Sequence, residues 1–594
     1  MTMGPLPDAD ELARERFGHA ALRSDQRQAI DAVAAGRDAL VVLPTGGGKS
    51  LCYQLPALQR FEAGLGPTLV VSPLVALMQD QVDALRRRGL PATFVNATVP
   101  RSERERRFEA TRRGEVALLY VVPERFRKAS FLALLADTPF SLLAIDEAHC
   151  ISTWGHDFRP DYRRLGELRD LVCDGSGRPA PALALTATAT PRVAQDICER
   201  LRLADPAQIR GPVVRDNLRL AVVPCHGVEG KADHIAALLG RVGGAALIYT
   251  ALITRGEQLR QALAARGVRL AFYNADLSGG DRRRLSRAFI SDADPALLAT
   301  NAFGMGIDRA DVRQVIHAEL PSSIESWAQE LGRAGRDGAP ALCTLLLDED
   351  DITIQDQHIR NAHPDASLVQ AVWDAIEEMT AGSGGWRQES FRERFAGRDR
   401  RDRRAETALR QLDSAGCIAG SFDRADLRVV RPPAPALLDQ PAIDGRRREA
   451  YERLLALHQL VSGEGCRWAA LATWFGEELA GGVCGHCDAE LDEAAVFADL
   501  PARSRPLTET LAGVSGGDGD SIVSAAAGPR RADPETGFAV GDWVQVGRNR
   551  FGQVVRTGGR GEQPWLRVRM SDSLREERVL LGAHGPQVER LRTP

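Results

Sequence analysis

The sequence predicts an α/β protein in which two parallel-sheet domains follow one another and smaller modules complete the chain. Short apolar runs alternate with helical stretches of about 10–15 residues through residues 1–210, which is the rhythm of β-α-β units and a parallel sheet. The same rhythm restarts after Asn217 and continues to residue 348. A chain of 594 residues is also too long for a single hydrophobic core. We therefore expect one α/β domain at 1–210 and a second at 211–348.

The apolar runs locate the candidate strands of both sheets. In the first domain the candidate strands are 39–43, 68–71, 116–121, 142–145 and 182–185. In the second domain they are 245–249, 270–273, 296–299, 314–317 and 341–346. Beyond them, residues 349–380 are helical and charged, and a glycine-rich break precedes a compact segment at 386–431.

The composition limits the class of protein. With 44% hydrophobic and 26% charged residues, the chain is globular and neither disordered nor fibrous. The formal net charge is −4, and only three of the 76 basic residues are lysines, so abundant arginine is weak evidence of nucleic-acid binding. The N-terminus lacks the apolar core of a signal peptide, no run is long enough to span a membrane, and most cysteines are scattered. We expect a cytoplasmic protein that does not bind a membrane.

A glycine-rich turn follows the first strand and predicts a phosphate site. Its residues are Thr45, Gly46, Gly47, Gly48, Lys49 and Ser50. Glycines let backbone amides wrap phosphate oxygens, while Lys49 can reach the β- and γ-phosphates and Ser50 can hold Mg²⁺. Leu43 stands where the strict phosphate-loop pattern has its first glycine, so the turn is a shortened variant.

Two carboxylates follow the apolar strand 142–145 and complete the predicted ATP site. Asp146 can coordinate Mg²⁺, and Glu147 can orient or deprotonate the attacking water. An isolated Asp-Glu pair is usually a solvated turn. Here it lies at the carboxyl end of a buried strand, where α/β proteins bind ligands, and a phosphate loop lies upstream. The sequence therefore predicts an ATPase that uses Mg²⁺.

Six further segments occur in order between residues 17 and 345. They are LRSDQ at 22–26, VSPLVALMQDQV at 71–82, YVVPER at 120–125, LTATAT at 185–190, ATNAFGMGID at 299–308 and QELGRAGRDG at 329–338. Together they resemble the conserved motifs of the RecQ family of superfamily 2 DNA helicases. The resemblance implies a RecA-like fold for both α/β domains. It also implies that Gln26 reads adenine, that Arg23 lies near the nucleotide, and that Asp308 belongs to the nucleotide site.

The same resemblance assigns two arginines of the second domain to the ATP site. It implies that Arg333 and Arg336 face the γ-phosphate across the interdomain cleft, with Arg336 as the arginine finger. A planar guanidinium that enters only when the domains close stabilises transition-state charge and ties hydrolysis to motion. Thr186 and Thr188 would couple the nucleotide state to domain closure.

A segment rich in aromatic residues, ISTWGHDFRPDY at 151–162, directly follows the carboxylate motif and resembles a RecQ-specific loop. The resemblance implies contact with single-stranded DNA. Trp154 and Phe158 offer faces on which unpaired bases can stack, and Arg159 can meet a phosphate. The alternative is that these aromatic residues cover the core.

A cysteine cluster near residue 484 resembles the zinc element of RecQ proteins. Cys466, Cys484 and Cys487 match three of its ligands, but Glu490 stands where the family has a fourth cysteine. Tetrahedral Zn²⁺ needs four ligands, which Glu490, His486 or Asp488 could complete. The alternative is a metal-free remnant held by apolar packing. We expect a structural zinc site, with Glu490 as the candidate fourth ligand.

The remaining segments depart from the family pattern. We predict a helical connector and a winged helix that grips duplex DNA at 349–435, with a solvated helix face as the alternative. The helical zinc element at 436–490 is followed by a linker at 491–537. Alternating strands at 538–594 predict a small SH3- or Tudor-like β-barrel, which could bind DNA or a protein partner.

The resemblance implies an ATP-dependent DNA helicase that moves 3′→5′ and acts in repair or recombination. Single-stranded and duplex DNA are the expected partners, and ATP, Mg²⁺ and Zn²⁺ the expected ligands. Two alternatives stay open at the level of sequence: an ATP-driven DNA-binding scaffold or translocase that does not separate strands, and an RNA helicase.

Overall fold

A computed structural model of the chain describes residues 6–73, 75–152, 160–291, 296–304, 309–381, 385–395, 402–420, 427–503, 543–546, 550–558, 565–570, 576–581 and 588–590. Within these residues the strands form two parallel sheets, one two-stranded pair and one five-stranded antiparallel sheet. Both predicted α/β domains are therefore present, one after the other along the chain.

The first domain is built around a parallel sheet. Its strands are β1 (Ala39–Val42), β2 (Thr68–Val71), β3 (Ala92–Val95), β4 (Leu118–Val121), β5 (Leu142–Ile145), β6 (Ala182–Thr186) and β7 (Ala207–Arg210). Its helices are α1 (Ala9–Phe17), α2 (Ser24–Ala34), α3 (Lys49–Glu62), α4 (Val75–Arg87), α5 (Arg101–Arg112), α6 (Ala129–Asp137), α7 (Pro160–Arg163), α8 (Leu165–Leu168) and α9 (Pro191–Arg200). The strand order is β3-β4-β2-β5-β6-β1-β7, with every pairing parallel. The segments after β1, β5 and β6 therefore leave the sheet at one edge.

A buried carboxylate aligns the other ends of these strands. Asp38, just before β1, is 5% exposed and accepts two hydrogen bonds of 2.7 Å from the guanidinium of Arg169. It also accepts the backbone N–H groups of Ala182 and Ala204, each at 2.8 Å. A buried charge with this many partners is satisfied, and losing a partner would be costly. Asp38 thus fixes β1 and β6 relative to each other.

The second domain repeats the plan with a parallel sheet of different order. Its strands are β8 (Leu218–Pro224), β9 (Ala245–Tyr249), β10 (Ala271–Tyr273), β11 (Ala296–Ala299), β12 (Val312–His317) and β13 (Ala341–Leu347). Its helices are α10 (Gly227–Arg241), α11 (Ile253–Ala265), α12 (Gly279–Ile290) and α13 (Ile324–Leu331). The strand order is β10-β11-β9-β12-β13-β8, again with every pairing parallel. The β8 edge remains available to the elements that follow.

Helices and a short strand pair follow the second domain. They are α14 (Asp351–Ala362), α15 (Ala366–Ala381), α16 (Gln388–Phe395), α17 (Arg404–Ser414), β14 (Ile418–Ala419) and β15 (Arg428–Val429). The strands are antiparallel. Trp373 of α15 shares one hydrophobic core with Trp386, Phe391 and Leu412. The glycine-rich break therefore lies inside this module, since α15 belongs to the same core as α16 and α17.

The helical zinc element does not form a core of its own. It consists of α18 (Gln440–Ser462), α19 (Arg467–Trp474) and the cysteine turn that follows. Trp468, Phe475 and Cys487 share a hydrophobic core with Leu218 and Leu220 of β8. The element is too small to bury enough apolar surface alone, so it packs on the second domain.

The structure corrects the predicted linker at 491–537. Residues 491–503 pack on the second domain and include α20 (Glu493–Val496). Phe497 lies under the guanidinium of Arg241, 3.6 Å from ring centroid to carbon, and Ala502 pairs with Val242 as an isolated β-bridge. The surrounding glycine, serine and proline residues suggested a linker, but the apolar side chains bind this stretch to the domain. The rest of the predicted linker lies outside the described residues.

The C-terminal segment contains β16 (Trp543–Val546), β17 (Arg550–Gly558), β18 (Trp565–Met570), β19 (Glu576–Leu580) and β20 (Val588–Arg590). They form an antiparallel sheet in the order β19-β18-β17-β16-β20. The strands agree with the predicted alternation, and closure into a barrel stays a prediction. Within the described part of the chain, no helix has the length and apolarity needed to span a bilayer.

Candidate active site

The predicted phosphate loop connects β1 to the first turn of α3. Gly46 and Gly48 have φ values of 82° and 78°, a left-handed conformation that glycine adopts without steric cost. A Cβ atom at Gly47 would lie 2.9 Å from the carbonyl oxygen of Pro44. The loop is therefore a tight backbone cradle that side chains would fill, at the N-terminus of a 14-residue helix. This is the geometry in which proteins bind phosphate.

Lys49 is the first residue of α3, and its ammonium lies inside the loop. Nζ donates to the carbonyl oxygen of Leu43 at 3.0 Å. Loss of hydration lowers the pKa of Lys49, while Glu147 and Asp146 oppose this effect. Ser50 follows at the second position of the helix, close to the hydroxyl of Tyr53. The two predicted phosphate and Mg²⁺ residues thus face the carboxylates that follow β5.

Gln26 of α2 closes over the phosphate loop. Its side-chain amide lies 3.4 Å from the carbonyl oxygens of Gly47 and Gly48, and a Cβ atom at Gly48 would be 2.2 Å from the amide nitrogen. The amide oxygen accepts the backbone N–H of Arg23 at 3.0 Å. The side chain of Arg23 is exposed, near Arg215 of the segment between the domains. Gln26 is therefore placed at the loop, with Arg23 at its rim.

The two predicted carboxylates lie at the carboxyl end of β5. The backbone N–H of Glu147 donates to Asp146 at 3.1 Å, and the hydroxyl of Tyr162 donates to the carbonyl oxygen of Asp146 at 2.9 Å. Burial and the neighbouring Glu147 raise the pKa of Asp146 to about 7, while Lys49 opposes the shift. Glu147 has a φ of 51°, unusual for a residue with a side chain. Such strain is common where a side chain must be held for chemistry.

His149 connects the carboxylates to β6. Its Nδ1 lies 2.9 Å from the hydroxyl of Thr186 and 3.3 Å from the carboxylate of Glu147. The backbone N–H of Thr188 in turn donates to Thr186 at 3.3 Å. Burial alone would lower the pKa of His149, but Cys150 and Glu147 raise it to about 10. A cationic imidazole would therefore bridge the acidic pair and the threonines.

The second domain meets the phosphate loop directly. A Cβ atom at Gly46 would lie 3.0 Å from Cγ of Arg336, and one at Gly332 would lie 2.7 Å from Cβ of Thr45. Arg336 is also close enough to lower the pKa of Lys49. Arg336, in the second domain, therefore lies against the phosphate loop of the first domain.

Arg333 lies deeper, between the two domains. It is 5% exposed and lies close to Tyr249, whose pKa is raised by burial, an effect that Arg333 opposes. Next to it is a cavity of about 400 Å³, lined by His149 of the first domain and by residues that follow β9, β11 and β12. The carboxyl ends of both sheets thus face a common cleft.

The cysteine cluster forms a separate four-residue group. Ligand atoms of Cys466, Cys484, Cys487 and Glu490 all lie within 4.8 Å of one another. The backbone N–H of Cys484 donates to both carboxylate oxygens of Glu490, each at 3.1 Å. Three thiols and one carboxylate are a donor set that suits tetrahedral Zn²⁺.

The two other candidate zinc ligands, Asp488 and His486, are hydrogen-bonded to other groups of the protein. Asp488 accepts from the guanidinium of Arg467 at 3.0 Å and from the backbone N–H of Val222 at 3.0 Å. Nδ1 of His486 lies 2.6 Å from the carbonyl oxygen of Cys484. Asp488 therefore joins the element to β8, and Glu490 is the oxygen ligand that the geometry favours.

Some predicted site residues lie outside the described part of the chain. They are Trp154, Phe158, Arg159 and Asp308. Sequence reasoning missed the contact of Tyr162 with Asp146 and that of Tyr249 with Arg333. Neither tyrosine stands in a recognisable pattern, although Tyr162 closes the aromatic segment and could have been selected for that reason.

Known protein families and a solved structure are similar to both α/β domains. The DEAD/DEAH box helicase model matches residues 23–197, and the helicase conserved C-terminal domain model matches residues 230–338. A solved structure of Mss116p bound to ssRNA and AMP-PNP is similar in fold, with a TM-score of 0.50 and 14% identity over 70% of this chain and 93% of that one. Two tandem RecA-like domains are thus the shared architecture.

Two bacterial proteins give closer sequence matches. ATP-dependent DNA helicase RecQ of Bacillus subtilis (strain 168) is 40% identical over 351 residues, 59% of this chain and 58% of RecQ. The chain thus spans less than two thirds of that relative. The probable ATP-dependent DNA helicase RecS of the same organism is 34% identical over 483 residues, 80% of this chain and 91% of RecS. On this match and the ordered motifs, the chain belongs to the RecQ family of superfamily 2 DNA helicases.

Proposed function

We propose that the chain is an ATP-driven DNA helicase that moves 3′→5′ along single-stranded DNA and separates duplex strands in repair or recombination. The contact of Arg336 with the phosphate loop carries the proposal. It makes the ATP site a product of both domains, so that ATP binding and domain closure are linked. Membership of the RecQ family supports the choice of DNA as substrate.

The residues of the cleft fit a nucleotide with Mg²⁺. The backbone amides at Gly46, Gly47 and Gly48 would hold phosphate oxygens, and Lys49 would neutralise their charge. Ser50 and Asp146 would hold Mg²⁺, which when bound offsets phosphate charge. Glu147 orients the attacking water, and Gln26 and Arg23 face the base, with Asp308 on the second domain. Arg333 and Arg336 stabilise the charge that develops during hydrolysis.

The segment between the carboxylates and α7 is the proposed DNA sensor. On one side it continues from the 3₁₀ turn Ala148–Ile151, which carries His149. On the other, Tyr162 of α7 holds the carbonyl oxygen of Asp146. Bases stacked on Trp154 and Phe158, with a phosphate at Arg159, would therefore act on the catalytic carboxylates from both ends of the segment.

We also propose that α15–α17 and the β14–β15 pair form a winged helix that contacts duplex DNA. Arg387, Arg403 and Arg410 are exposed there and can meet phosphates. Two others are neutralised within the module, since Arg394 pairs with Glu378 at 2.6 Å and Arg392 lies 3.7 Å from Glu406. The positive charge available to DNA is therefore smaller than the number of arginines in the module indicates.

Three further inferences complete the proposal. Zn²⁺ bound by Cys466, Cys484, Cys487 and Glu490 would have a structural role. The C-terminal strands form a small barrel that binds DNA or a protein partner. The protein acts in the cytoplasm.

We expect the purified chain to separate a 3′-tailed DNA duplex when ATP and Mg²⁺ are present, and to leave a 5′-tailed duplex intact. Strand release on native gels and ATP turnover should be measured on the same substrates. ATP consumption without strand release would contradict the helicase and favour a translocase or scaffold. Stronger stimulation of ATP turnover by RNA than by DNA would contradict the proposal that DNA is the substrate.

Lys49→Ala should lower ATP turnover by at least about a hundredfold, because the ammonium inside the phosphate loop is lost. The matched control is Lys128→Ala, which removes an exposed lysine distant in sequence from the loop. The two variants should be compared by their steady-state ATP turnover with single-stranded DNA. Near-normal turnover of the Lys49 variant would remove the phosphate loop from the mechanism.

Protein purified without added metal should contain about one zinc per chain. Glu490→Gln should lower the zinc:protein ratio in elemental analysis after dialysis against a weak chelator, because a carboxylate ligand is replaced by a neutral amide. His486→Ala is the matched control and should keep the metal. A ratio near zero in the unmodified chain would refute the site, and loss of zinc only in the His486 variant would reassign the fourth ligand.

A further inference from the structure

The end of α19 lies where the two helicase domains join. We call residues 474–477 the α19 turn. Gly476 in this turn has a φ of 80°, and a Cβ atom there would lie 2.6 Å from Cγ of Pro191, the first residue of α9 in the first domain. The preceding part of α19 is fixed to the second domain, since Nε1 of Trp468 donates to the carbonyl oxygen of Leu218 at 3.2 Å. The zinc element therefore touches both domains.

The α19 turn also holds the segment that joins the domains, residues 211–217. The carboxylate of Glu477 accepts the backbone N–H of Val213 at 3.0 Å. Two residues further, the guanidinium of Arg215 donates to the carbonyl oxygen of Gly335 at 2.6 Å, and the side chain of Asn217 donates to the same oxygen at 2.8 Å. Gly335 lies between the two arginines of the active site, so the joining segment supports the turn that carries them.

A second contact reaches the same turn through α13. Nε1 of Trp474 donates to the carboxylate of Glu325 at 2.9 Å. Glu325 is 4% exposed and lies in the first turn of α13, against which α19 packs. The last turn of α13 leads to Gly332, which abuts Thr45 of the phosphate loop. One end of the helix is thus held by the zinc element, and the other lies against the ATP site.

From these contacts we infer that Trp474 and Glu477 are positioning residues for Arg333 and Arg336. Trp474 fixes the position of the start of α13. Glu477 fixes the position of the joining segment, which in turn holds Gly335. Together they keep the arginine turn at the distance where Arg336 meets Gly46. The inference rests on the proposed ATPase function.

Trp474→Phe tests the first contact, because it removes the N–H donor and keeps an aromatic ring. We expect kcat for ATP with single-stranded DNA to fall by about tenfold, the scale of losing one hydrogen bond to a buried carboxylate. ATP affinity and the zinc:protein ratio should stay within about twofold, since the phosphate loop and the cysteine cluster are intact. The matched control is Thr473→Val, whose exposed hydroxyl bonds only within its own helix, to Ala469; it should keep the full kcat.

Glu477→Ala and Glu477→Gln test the second contact as a pair. The amide oxygen of Gln can still accept from Val213, so Glu477→Gln should recover most of the kcat that Glu477→Ala loses. Unchanged kcat in both Trp474→Phe and Glu477→Ala would overturn the inference. Loss of zinc or of ATP affinity in parallel with kcat would also overturn it, because the residues would then be merely structural.

Hydrogen–deuterium exchange across residues 324–336 gives a readout that does not depend on activity. Faster exchange there in Trp474→Phe than in Thr473→Val supports the inference, and equal exchange overturns it. A wild-type chain without ATPase activity would contradict the proposed function. The exchange comparison would still decide whether α19 holds the arginine turn.

Discussion

Close backbone approach across the domain boundary is the constraint on which the rest of the site depends. Arg336 packs over Gly46, where an added Cβ atom would lie 3.0 Å from Cγ of the arginine, and Gly332 packs against Thr45, where one would lie 2.7 Å from Cβ of the threonine. The glycines of the phosphate loop therefore make room for phosphate oxygens and also for the second domain. Because the loop is a backbone surface, small shifts of the second domain change the position of the arginines relative to it. Under the proposed function, ATP hydrolysis and domain motion would share this one set of contacts.

The second constraint is that the zinc element shares the core of the second domain. Trp468 and Cys487 pack with residues of β8, and Asp488 hydrogen-bonds to the backbone of that strand through Val222. Cys466 is both a candidate metal ligand and the N-cap of α19, where its Sγ accepts from Ala469. The cysteine cluster is thus connected through α19 to the joining segment, which Glu477 contacts at the other end of the helix. Zn²⁺ bound at the proposed site would in this way be connected to the joining segment through α19.

Local patterns predicted where several residues of the candidate nucleotide site lie. Lys49 follows β1 after the glycine turn, Asp146 directly follows β5, and parallel pairing brings the carboxyl ends of such strands together. The bond from Trp474 to Glu325 joins residues 149 apart in sequence, and neither residue type is unusual in its segment. Such contacts depend on how whole elements pack, which local periodicity does not encode.

Composition also misled at two places for physical reasons. Residues 491–503 have the small and polar neighbours of a linker, but Val496 and Phe497 fill a groove of the second domain. In the winged-helix candidate, the arginines of the sequence include Arg394, which pairs with Glu378 in the fold. A sequence shows which charges are present, and only the fold shows which of them are already neutralised.

The central claim is that Arg336 of the second domain completes the ATP site of the first. The most direct test is to measure ATP turnover and ATP affinity of Arg336→Ala with single-stranded DNA present. The account predicts that kcat falls by at least about a thousandfold while affinity changes by no more than a few fold, because the guanidinium acts on transition-state charge. The control is Arg113→Ala, which replaces an exposed arginine. Unchanged kcat in Arg336→Ala would contradict the account.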